Sequence, residues 1–175
     1  NKIILITGDK DWLQMVQPGV MWYDPIRDRK CNYLDFVDFT GCDSIQGFID
    51  KKCLMGDTSD NIKGVGGIGE TRALDLVQVY GTVQCFLERD FSEEEINAMP
   101  KYLRDFKLNT NKGIDKYYEN VKLMALNTDS RPKPVNKQII NGELNFDRFE
   151  EFCFEHGFSS IRLELNSYKN LFGAN

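Results

Sequence analysis

The sequence lacks the marks of a membrane protein, a disulfide-rich protein and a zinc protein. No apolar run approaches the ~20 residues that span a bilayer, and no segment resembles a signal peptide. The five cysteines are odd in number, lie far apart and form no CxxC pair, so neither a disulfide framework nor a zinc site is expected. The single histidine, His156, has no serine or cysteine partner in any motif, and we expect it to be structural. These features favour a protein of a reducing cytoplasm without a membrane partner.

The chain also lacks a positive net charge. Its formal charge is −5, and its 175 residues are 41% hydrophobic, which suffices for one packed domain or for one piece of a two-lobed protein. The charge is unevenly distributed, because residues 101–122 carry six basic side chains against three acidic ones. This stretch is either a surface that faces phosphate groups or a solvated helix face, and the sequence leaves both interpretations open.

Two pairs of aspartates are the first features that indicate chemistry. The apolar run 3–6 is typical of a strand in a parallel sheet, and it ends shortly before Asp9 and Asp11. In an open α/β sheet, ligands bind beyond the carboxyl ends of the strands, where this pair is expected. Asp57 and Asp60 lie three residues apart, so both can offer hard oxygen ligands to one divalent cation. For this second pair taken alone, a helix cap or an Asx turn is the simpler explanation.

A glycine-dense turn follows the second pair of aspartates. Residues 62–69 read IKGVGGIG, and residues 70–80 have apolar side chains at helical spacing. Glycine lets another molecule approach the backbone closely, and the first N–H groups of a helix can bind an anion. A tight helix–helix turn is the structural explanation, but four glycines in six residues exceed what such a turn requires. A metal site beside a phosphate site is the interpretation that we favour.

The two regions together resemble the 5′-nuclease family, which includes phage 5′–3′ exonucleases, flap endonucleases and the 5′-nuclease domain of bacterial DNA polymerase I. The segments that carry the resemblance are TGDKDWLQ and GDTSDNIKGVGGIGETRAL, and a weaker similarity continues through residues 149–172. The resemblance implies an α/β fold in which residues 1–40 are the C-terminal part of a PIN-like nuclease core. It also implies a mainly helical DNA-binding region at residues 41–175, with a helix–three-turn–helix at about 44–81.

The resemblance implies a catalytic role for each of the four aspartates. Asp9 would lie between two Mg²⁺ or Mn²⁺ ions, and Asp11, Asp57 and Asp60 would hold the second ion, some of them through water. Lys52 matches a basic position of the family close to the phosphate that is cut. Two such ions, bound by the complete enzyme, stabilise the attacking water and the leaving oxygen of a phosphodiester hydrolysis.

For DNA, the resemblance implies that backbone N–H groups of the turn grip the phosphates of a duplex without reading its bases. Carbonyl oxygens of the turn would also hold a K⁺ ion. Thr71 stands where the family commonly has a lysine, so one charged contact with phosphate is weakened. The DNA-binding residues implied are Lys63, Gly64, Gly66, Gly67, Gly69, Thr71 and Arg72.

Periodicity and turn signals predict the remaining elements. Strands are expected at 3–7, 20–23 and near 31–34, and a short helix at 12–16. Residues 127–142, with two prolines, are expected to be a linker or a long loop. Aromatic residues at helical spacing are expected in the core, among them Phe86, Phe106, Tyr117, Tyr118, Phe152 and Phe154. The longer helices are expected at 44–55, 69–80, 93–108, 114–126, 146–156 and 159–165.

The sequence therefore predicts a metal-dependent, structure-specific 5′ nuclease, either a 5′–3′ exonuclease or a flap endonuclease. Its substrate would be DNA at the junction of a 5′ single strand and a duplex, in replication or repair, in the cytoplasm of a bacterial cell or a phage-infected host. The family's earlier metal-binding carboxylates and its helical arch have no counterpart in these residues. We therefore expect the C-terminal portion of a monomeric nuclease whose upstream lobe lies in the same or another chain.

Two alternatives remain open at this point. The chain could be a duplex-DNA-binding module without catalysis, or part of a nuclease that acts on the RNA of RNA–DNA hybrids. Both share the residues that are present, and the upstream carboxylates would distinguish the module from the nuclease.

Overall fold

Two small sheets lie in the first part of the chain. The structure is a computed structural model and describes residues 2–126 and 145–171. The strands are β1 (Ile3–Ile6), β2 (Val20–Asp24), β3 (Arg29–Cys31), β4 (Gly56–Asp57) and β5 (Ile62–Lys63). Strand β2 lies between β1, to which it is parallel, and β3, to which it is antiparallel, while β4 and β5 form a separate antiparallel pair. The α/β beginning of the chain is thus confirmed, with a parallel pair of strands whose carboxyl ends lie side by side.

Helices make up most of the remaining described chain. A 3₁₀ helix (Lys10–Met15) connects β1 to β2. The α-helices are α1 (Phe36–Thr40), α2 (Ile45–Met55), α3 (Glu70–Tyr80), α4 (Val83–Glu88), α5 (Glu93–Ala98), α6 (Lys101–Lys107), α7 (Gly113–Met124), α8 (Phe146–Glu155), α9 (Ser159–Leu163) and α10 (Leu165–Leu171).

The helices on either side of the glycine turn agree with the sequence prediction. The Ser44 hydroxyl caps α2 by accepting from the N–H of Gly47 at 3.0 Å, as its residue type favours. Helix α3 ends at Tyr80 and is capped by Gly81, whose φ of 78° lies in the region that favours glycine. The predictions for α7 and α8 also hold to within two residues at each end.

The prediction of one helix at 93–108 is wrong. Two helices, α5 and α6, replace it, and they are separated by Met99 and Pro100. Proline has no N–H to donate, and it drives the preceding residue out of the α region, as the ψ of 146° at Met99 shows. The predicted final helix at 159–165 corresponds to α9, which ends two residues earlier at Leu163, and the helix α10 that follows it was not predicted.

Several short elements were not predicted, namely α1, α4 and the pair β4–β5. Each has six residues or fewer, so the periodic signal is weak, and tertiary contacts decide the conformation. In the pair β4–β5, the backbones approach so closely that a Cβ atom on Gly56 would lie 2.5 Å from the Ile62 carbonyl oxygen. The third strand also begins two residues earlier than predicted, at Arg29.

The core of the first part of the chain is formed by α2 and α3 packed together with α4, α6 and α7. Phe86, Phe106 and Tyr117 are buried there as predicted, whereas Tyr118 is 49% exposed and the prediction for it is wrong.

All five cysteines are free, and four of them are buried. Burial raises the pKa of the Cys53 thiol to about 12, so it is inert as a nucleophile near neutral pH.

A buried carboxylate connects α2 to two other helices. Asp50, which is 1% exposed, accepts hydrogen bonds from the Tyr117 hydroxyl and from the N–H of Val83, both at 2.7 Å. The side chain of Gln46 donates to it as well, at 2.7 Å. Three donors compensate the buried charge, and the network fixes α2, which carries Lys52 near its end.

The chain forms two compact units, Asn1–Pro132 and Lys133–Asn175. In the second unit, His156 stacks on Phe152 at 4.2 Å between ring centroids, as expected for a structural histidine. Phe152 and Phe154 are 46% and 67% exposed, so the prediction that they are core residues is wrong.

The expected linker at 127–142 lies outside the described residues. Within the described ranges, no helix is long and apolar enough to cross a membrane.

Candidate metal centre and phosphate-binding turn

The loop after β1 places Asp9 and Asp11 at the carboxyl end of the parallel strands. The N–H of Thr7 donates to the Tyr23 carbonyl at 2.9 Å, which extends the pairing of β1 with β2. The buried indole of Trp22 donates to the carbonyl oxygen of Asp9 at 2.9 Å. The Asp9 carboxylate in turn accepts from the N–H of Asp11 at 2.8 Å and so caps the 3₁₀ helix. Both backbone and side-chain contacts therefore fix the direction of this loop.

Three of the four predicted carboxylates converge. One oxygen of each of Asp11, Asp57 and Asp60 lies within 4.8 Å of the others. Asp57 ends β4 and Asp60 belongs to the turn between β4 and β5, so the short hairpin brings the second pair to the loop that carries Asp11. Carboxylate oxygens at this spacing form the hard donor set that Mg²⁺ or Mn²⁺ accepts, and the residues present therefore fit a divalent cation.

Asp9 is not a member of this group. Its carboxylate caps the 3₁₀ helix, although Asp9 does line one cleft together with Asp57. The capping role that was considered for Asp57 and Asp60 is thus observed for Asp9, and the role of Asp9 between two metal ions stays a prediction.

Lys52 lies among the carboxylates, where its position on α2 directs it. Its ammonium group donates to Asp11 and, at 3.2 Å, to Oδ2 of Asp57. Burial on its own lowers the pKa of Lys52, but the hydrogen bonds and negative charges of Asp11 and Asp57 outweigh it. The pKa is therefore raised, and Lys52 is a cation at neutral pH. The structure thus brings Lys52 into contact with Asp11 and Asp57, and its role near the phosphate that is cut stays a prediction.

Asp57 also forms the Asx turn that its neighbours favour. Its Oδ1 accepts from the Ser59 N–H at 2.9 Å and from the Ser59 hydroxyl. These contacts, followed by the ammonium of Lys52, lower the pKa of Asp57 against the opposing effect of burial. Asp57 is therefore ionised at neutral pH and available as an anionic ligand.

Two glycines of this region are required by the fold itself. A Cβ atom on Gly64 would collide with the backbone of Met55 and lie 2.7 Å from the Leu54 carbonyl oxygen. Gly67 has a φ of 80°, which other residues rarely adopt. The structural interpretation of the glycine turn is therefore correct for these two positions.

Gly66 and Gly69 differ from them. A Cβ atom on either residue would have nothing within 4 Å, and neither has a positive φ. Across the described ranges, the N–H groups of Gly66, Gly67 and Gly69 have no hydrogen-bond acceptor. Glycine at 66 and 69 is thus not explained by packing, and it leaves three backbone donors accessible to an external anion.

The basic side chains beside the turn are exposed, with different degrees of restraint. Arg72 donates to the Gly67 carbonyl at 2.7 Å, and its guanidinium group lies 4.6 Å from the centre of the Tyr102 ring. Lys63 and Thr71 are exposed to solvent. Apart from the half-buried Gly64, the predicted residues of the turn are exposed between β5 and the start of α3.

Sequence reasoning missed two arginines at the cleft beside the aspartates. Arg27 and Arg29, in and after the turn that connects β2 to β3, line the same cleft as Asp9, Lys52 and Asp57. The only signal in the sequence was a pair of basic residues in a predicted turn, a pattern that is usual for solvated loops.

Two lysines of the basic stretch 101–122 form contacts within the protein. Lys107 donates to the carbonyl oxygens of Phe86, Leu87 and Arg89, at the end of α4. Lys116 pairs with Glu119 at 2.9 Å. These two lysines serve intramolecular contacts, and the contacts do not decide between the two interpretations of the stretch.

The sequence matches a family of exonucleases and several individual proteins. The model of the family described as 5′-3′ exonuclease, C-terminal SAM fold, matches residues 44–143. DNA polymerase I of Lactococcus lactis subsp. cremoris is 28% identical over 173 residues, which is 93% of this chain and 18% of the relative. The 5′-3′ exonuclease of Bacillus subtilis is 39% identical over 90 residues, which is 49% of this chain and 30% of the relative. The flap endonuclease of Escherichia phage T5 is 31% identical over 83 residues, which is 47% of this chain and 28% of the relative. This chain thus spans less than a third of each of these relatives.

Solved structures agree with the fold. A complex of the phage T5 flap endonuclease with DNA and metal ions has a TM-score of 0.57 and 25% identity, and the match covers 70% of this chain and 42% of that one. The phage T5 5′-exonuclease with bound zinc has a TM-score of 0.55 at 24% identity, and the match covers 71% of this chain and 43% of that one. Both matches support the fold that was inferred from the two aspartate motifs and the glycine turn.

Proposed function

Because the chain belongs to the 5′–3′ exonuclease family, we propose that it supplies the C-terminal part of a metal-dependent, structure-specific 5′ nuclease. The substrate is DNA with a junction between a 5′ single strand and a duplex, cut in replication or repair in the cytoplasm of a bacterial or phage-infected cell. One observation carries the proposal: the hairpin β4–β5 contributes two carboxylates to the cluster and leads directly into the glycine turn.

The carboxylates of Asp11, Asp57 and Asp60 would hold one divalent cation, Mg²⁺ or Mn²⁺, and Asp9 with carboxylates of the upstream lobe would hold a second. Such ions stabilise the charge that develops on the attacking and leaving oxygens of a phosphodiester. Lys52, which contacts Asp11 and Asp57, would supply a positive charge to a non-bridging phosphate oxygen. The two contacts hold this ammonium beside the carboxylates before DNA arrives, so its position is restricted in advance.

The glycine turn grips the phosphates of the duplex. The free N–H groups of Gly66, Gly67 and Gly69 donate to phosphate oxygens, and Lys63 and Arg72 add charge-assisted contacts. Gly64 contributes by letting the turn pack against α2, and Thr71 donates its hydroxyl. A K⁺ ion bound by carbonyl oxygens of the turn is part of this proposal. None of these contacts reads a base, so binding is independent of DNA sequence.

The exposed edge of β1 supports the need for an upstream lobe, in the same chain or another. Ile3, Ile4 and Ile6 are 52%, 54% and 68% exposed, although successive residues of a strand point to opposite faces. Parallel strands are normally covered on both faces, and an unpaired apolar edge is a site for strand addition. We therefore place further strands and helices of the nuclease core beside β1. With them, residues 1–40 complete the core and residues 41–175 form the DNA-binding region of a monomeric enzyme.

The proposal is tested by single-turnover cleavage of a 5′-labelled flap DNA with Mg²⁺. The isolated chain should bind the DNA but cut it poorly, and the chain joined to its upstream lobe should cut it. In the longer protein, Asp57→Ala should reduce the cleavage rate by at least about 100-fold with little loss of affinity, because metal acts on the transition state. Asp38→Ala, which removes an exposed aspartate of α1, is the matched control.

The outcomes separate the alternatives. A longer protein that binds flap DNA tightly without cutting it would favour the duplex-binding module. Cleavage confined to the RNA of RNA–DNA hybrids would favour a nuclease that acts on such hybrids. Robust cutting by the isolated chain would contradict the requirement for upstream carboxylates.

A further inference from the structure

The cleft beside the carboxylate cluster has a basic wall that the metal site does not require. It has a volume of about 410 Å³, and Arg27 and Arg29 line it together with Asp9, Lys52 and Asp57. Both arginines come from the hairpin β2–β3, whose turn lies next to the loop that carries Asp9. A metal site needs anionic ligands, so two guanidinium groups at its border call for another explanation.

A buried carboxylate holds both arginines. Asp24, the last residue of β2, is fully buried and accepts from Arg29 Nη2 at 2.9 Å and from Arg27 Nη1 at 3.3 Å. The N–H groups of Ile26 and Arg27 donate to its other oxygen at 3.1 and 3.3 Å. The hydrogen bond from Arg29 is the main reason why the pKa of Asp24 lies below its usual range. One carboxylate thus orients two guanidinium groups and leaves the pair with a net positive charge.

Among the described residues, most of the N–H donors of these arginines have no acceptor. Each guanidinium group has five N–H donors, and Asp24 engages one terminal nitrogen of each. The Nε atom of Arg29 is buried and, within residues 2–126 and 145–171, has no hydrogen-bond partner. If bracing the hairpin were their purpose, Arg29 with the two backbone donors would satisfy Asp24, and the largely exposed Arg27 would be dispensable.

We propose that Arg27 and Arg29 form a phosphate subsite for the DNA strand that passes the metal centre. Guanidinium groups match the paired oxygens of a phosphate better than any other side chain, and two of them fixed by a carboxylate are preorganised. The subsite takes a phosphate next to the one that is cut, because the arginines share the cleft with Asp57 and Lys52. This inference rests on the proposed nuclease function and extends it to substrate positioning.

The phosphate could be an internal phosphodiester of the strand or the monoester at its 5′ end. Both present the same non-bridging oxygens, but the monoester carries more negative charge. Comparison of DNA with a 5′-phosphate and with a 5′-hydroxyl distinguishes the two sources.

The test measures binding of the full 175-residue chain to a fluorescent 5′-flap DNA and to a blunt duplex, with Ca²⁺ as the divalent cation. Arg27→Gln should weaken flap binding on the order of tenfold, the loss expected for one charge-assisted contact, and leave duplex binding unchanged. Lys30→Gln is the matched control, since Lys30 is an exposed neighbour on β3 that does not line the cleft. If Arg27→Gln loses more affinity for a flap with a 5′-phosphate than for a flap with a 5′-hydroxyl, the subsite binds the 5′ monoester. If the two losses are equal, the subsite binds an internal phosphodiester.

A second measurement does not depend on a variant. In ¹⁵N-detected spectra of the parent chain, the Nε–H signal of Arg29 should shift when a 5′-phosphorylated dinucleotide is added, and the signal of Arg162 should not. Equal flap affinity of Arg27→Gln and the parent, or an unperturbed Arg29 signal, would overturn the subsite. If the parent itself binds neither DNA, the proposed nuclease function fails instead.

Discussion

The Lys52 ammonium lies 3.2 Å from Oδ2 of Asp57, five residues later in the chain, and it contacts Asp11 from the β1 loop as well. One cation of the protein thus joins two carboxylates that reach the site from different elements. Asp60, the third carboxylate of the cluster, has no such partner within the described ranges. The excess of negative charge is what a divalent cation would neutralise.

We predict that Mg²⁺ or Mn²⁺ stabilises the folded chain. At ten times Kd, binding to the native state contributes about 1.4 kcal/mol, which raises Tm by roughly 3 to 6 °C for a chain of this size. Asp57→Asn should abolish this rise, because it removes a central ligand. Asp38→Asn, an equal change of charge on α1, should preserve it. Thermal melts with and without metal measure the effect, and an unchanged Tm of the parent would argue against a formed site.

A prediction on pH concerns Asp24. Its pKa lies below the ordinary value of 3.8, chiefly because Arg29 donates to it. The ionised carboxylate therefore contributes stability at every pH above that value, and the contribution is lost as the pH falls through the lowered pKa. Asp24→Asn should have a lower Tm than the parent at neutral pH, and the difference should narrow below about pH 4.

Asp43→Asn is the control for this measurement, since Asp43 is exposed in the loop before α2. Melts of the three proteins at several pH values are sufficient. A difference between Asp24→Asn and the parent that stays constant down to about pH 2 would show that the ion pairs with the arginines do not contribute.

Local patterns predicted the parts of the site that lie close together in sequence. The aspartate pairs, the glycine turn and the two helices around it each have their signal within a few residues, so the sequence was sufficient. The contact between Lys52 and Asp11 spans 41 residues, and no local pattern predicted it, since the family resemblance implied only that Lys52 lies near the phosphate that is cut. Arg27 and Arg29 were not recognised at all, because their significance depends on a buried Asp24 and on a neighbouring loop. The division between α5 and α6 is different, since Pro100 was visible in the sequence and its effect was overlooked.

The network around Asp50 should be important for stability. Tyr117→Phe removes one of three donors to a buried carboxylate, and a hydrogen bond to a charged group is worth about 1.5 to 3 kcal/mol. Tyr118→Phe, at an exposed neighbouring position, should change the free energy of unfolding by less than about 0.5 kcal/mol. Urea unfolding followed by circular dichroism measures both. Equal effects of the two substitutions would show that Asp50 finds another donor.

Lys63 and Arg72 should affect DNA binding in distinguishable ways. Each substitution by alanine should weaken duplex binding by about 1 kcal/mol and reduce its dependence on salt. Arg72→Ala should also lower Tm, because Arg72 holds the Gly67 carbonyl and packs on Tyr102, whereas Lys63→Ala should leave Tm unchanged. Fluorescence anisotropy over a series of salt concentrations, with melts of the same samples, separates the two effects. Unaltered affinity in both variants would remove these side chains from the DNA interface.

The glycines of the turn allow the sharpest separation of fold from function. Gly64→Ala would force a Cβ atom into the backbone of Met55, so we expect it to lower Tm markedly. Gly66→Ala and Gly69→Ala place the new methyl group in open space and should leave Tm within a few degrees of the parent. Each of these two should nevertheless weaken duplex DNA binding on the order of tenfold, because the methyl group keeps a phosphate from the backbone N–H groups. Full affinity in Gly66→Ala and Gly69→Ala, with the fold intact, would mean that DNA does not approach the turn and that its glycines serve packing alone.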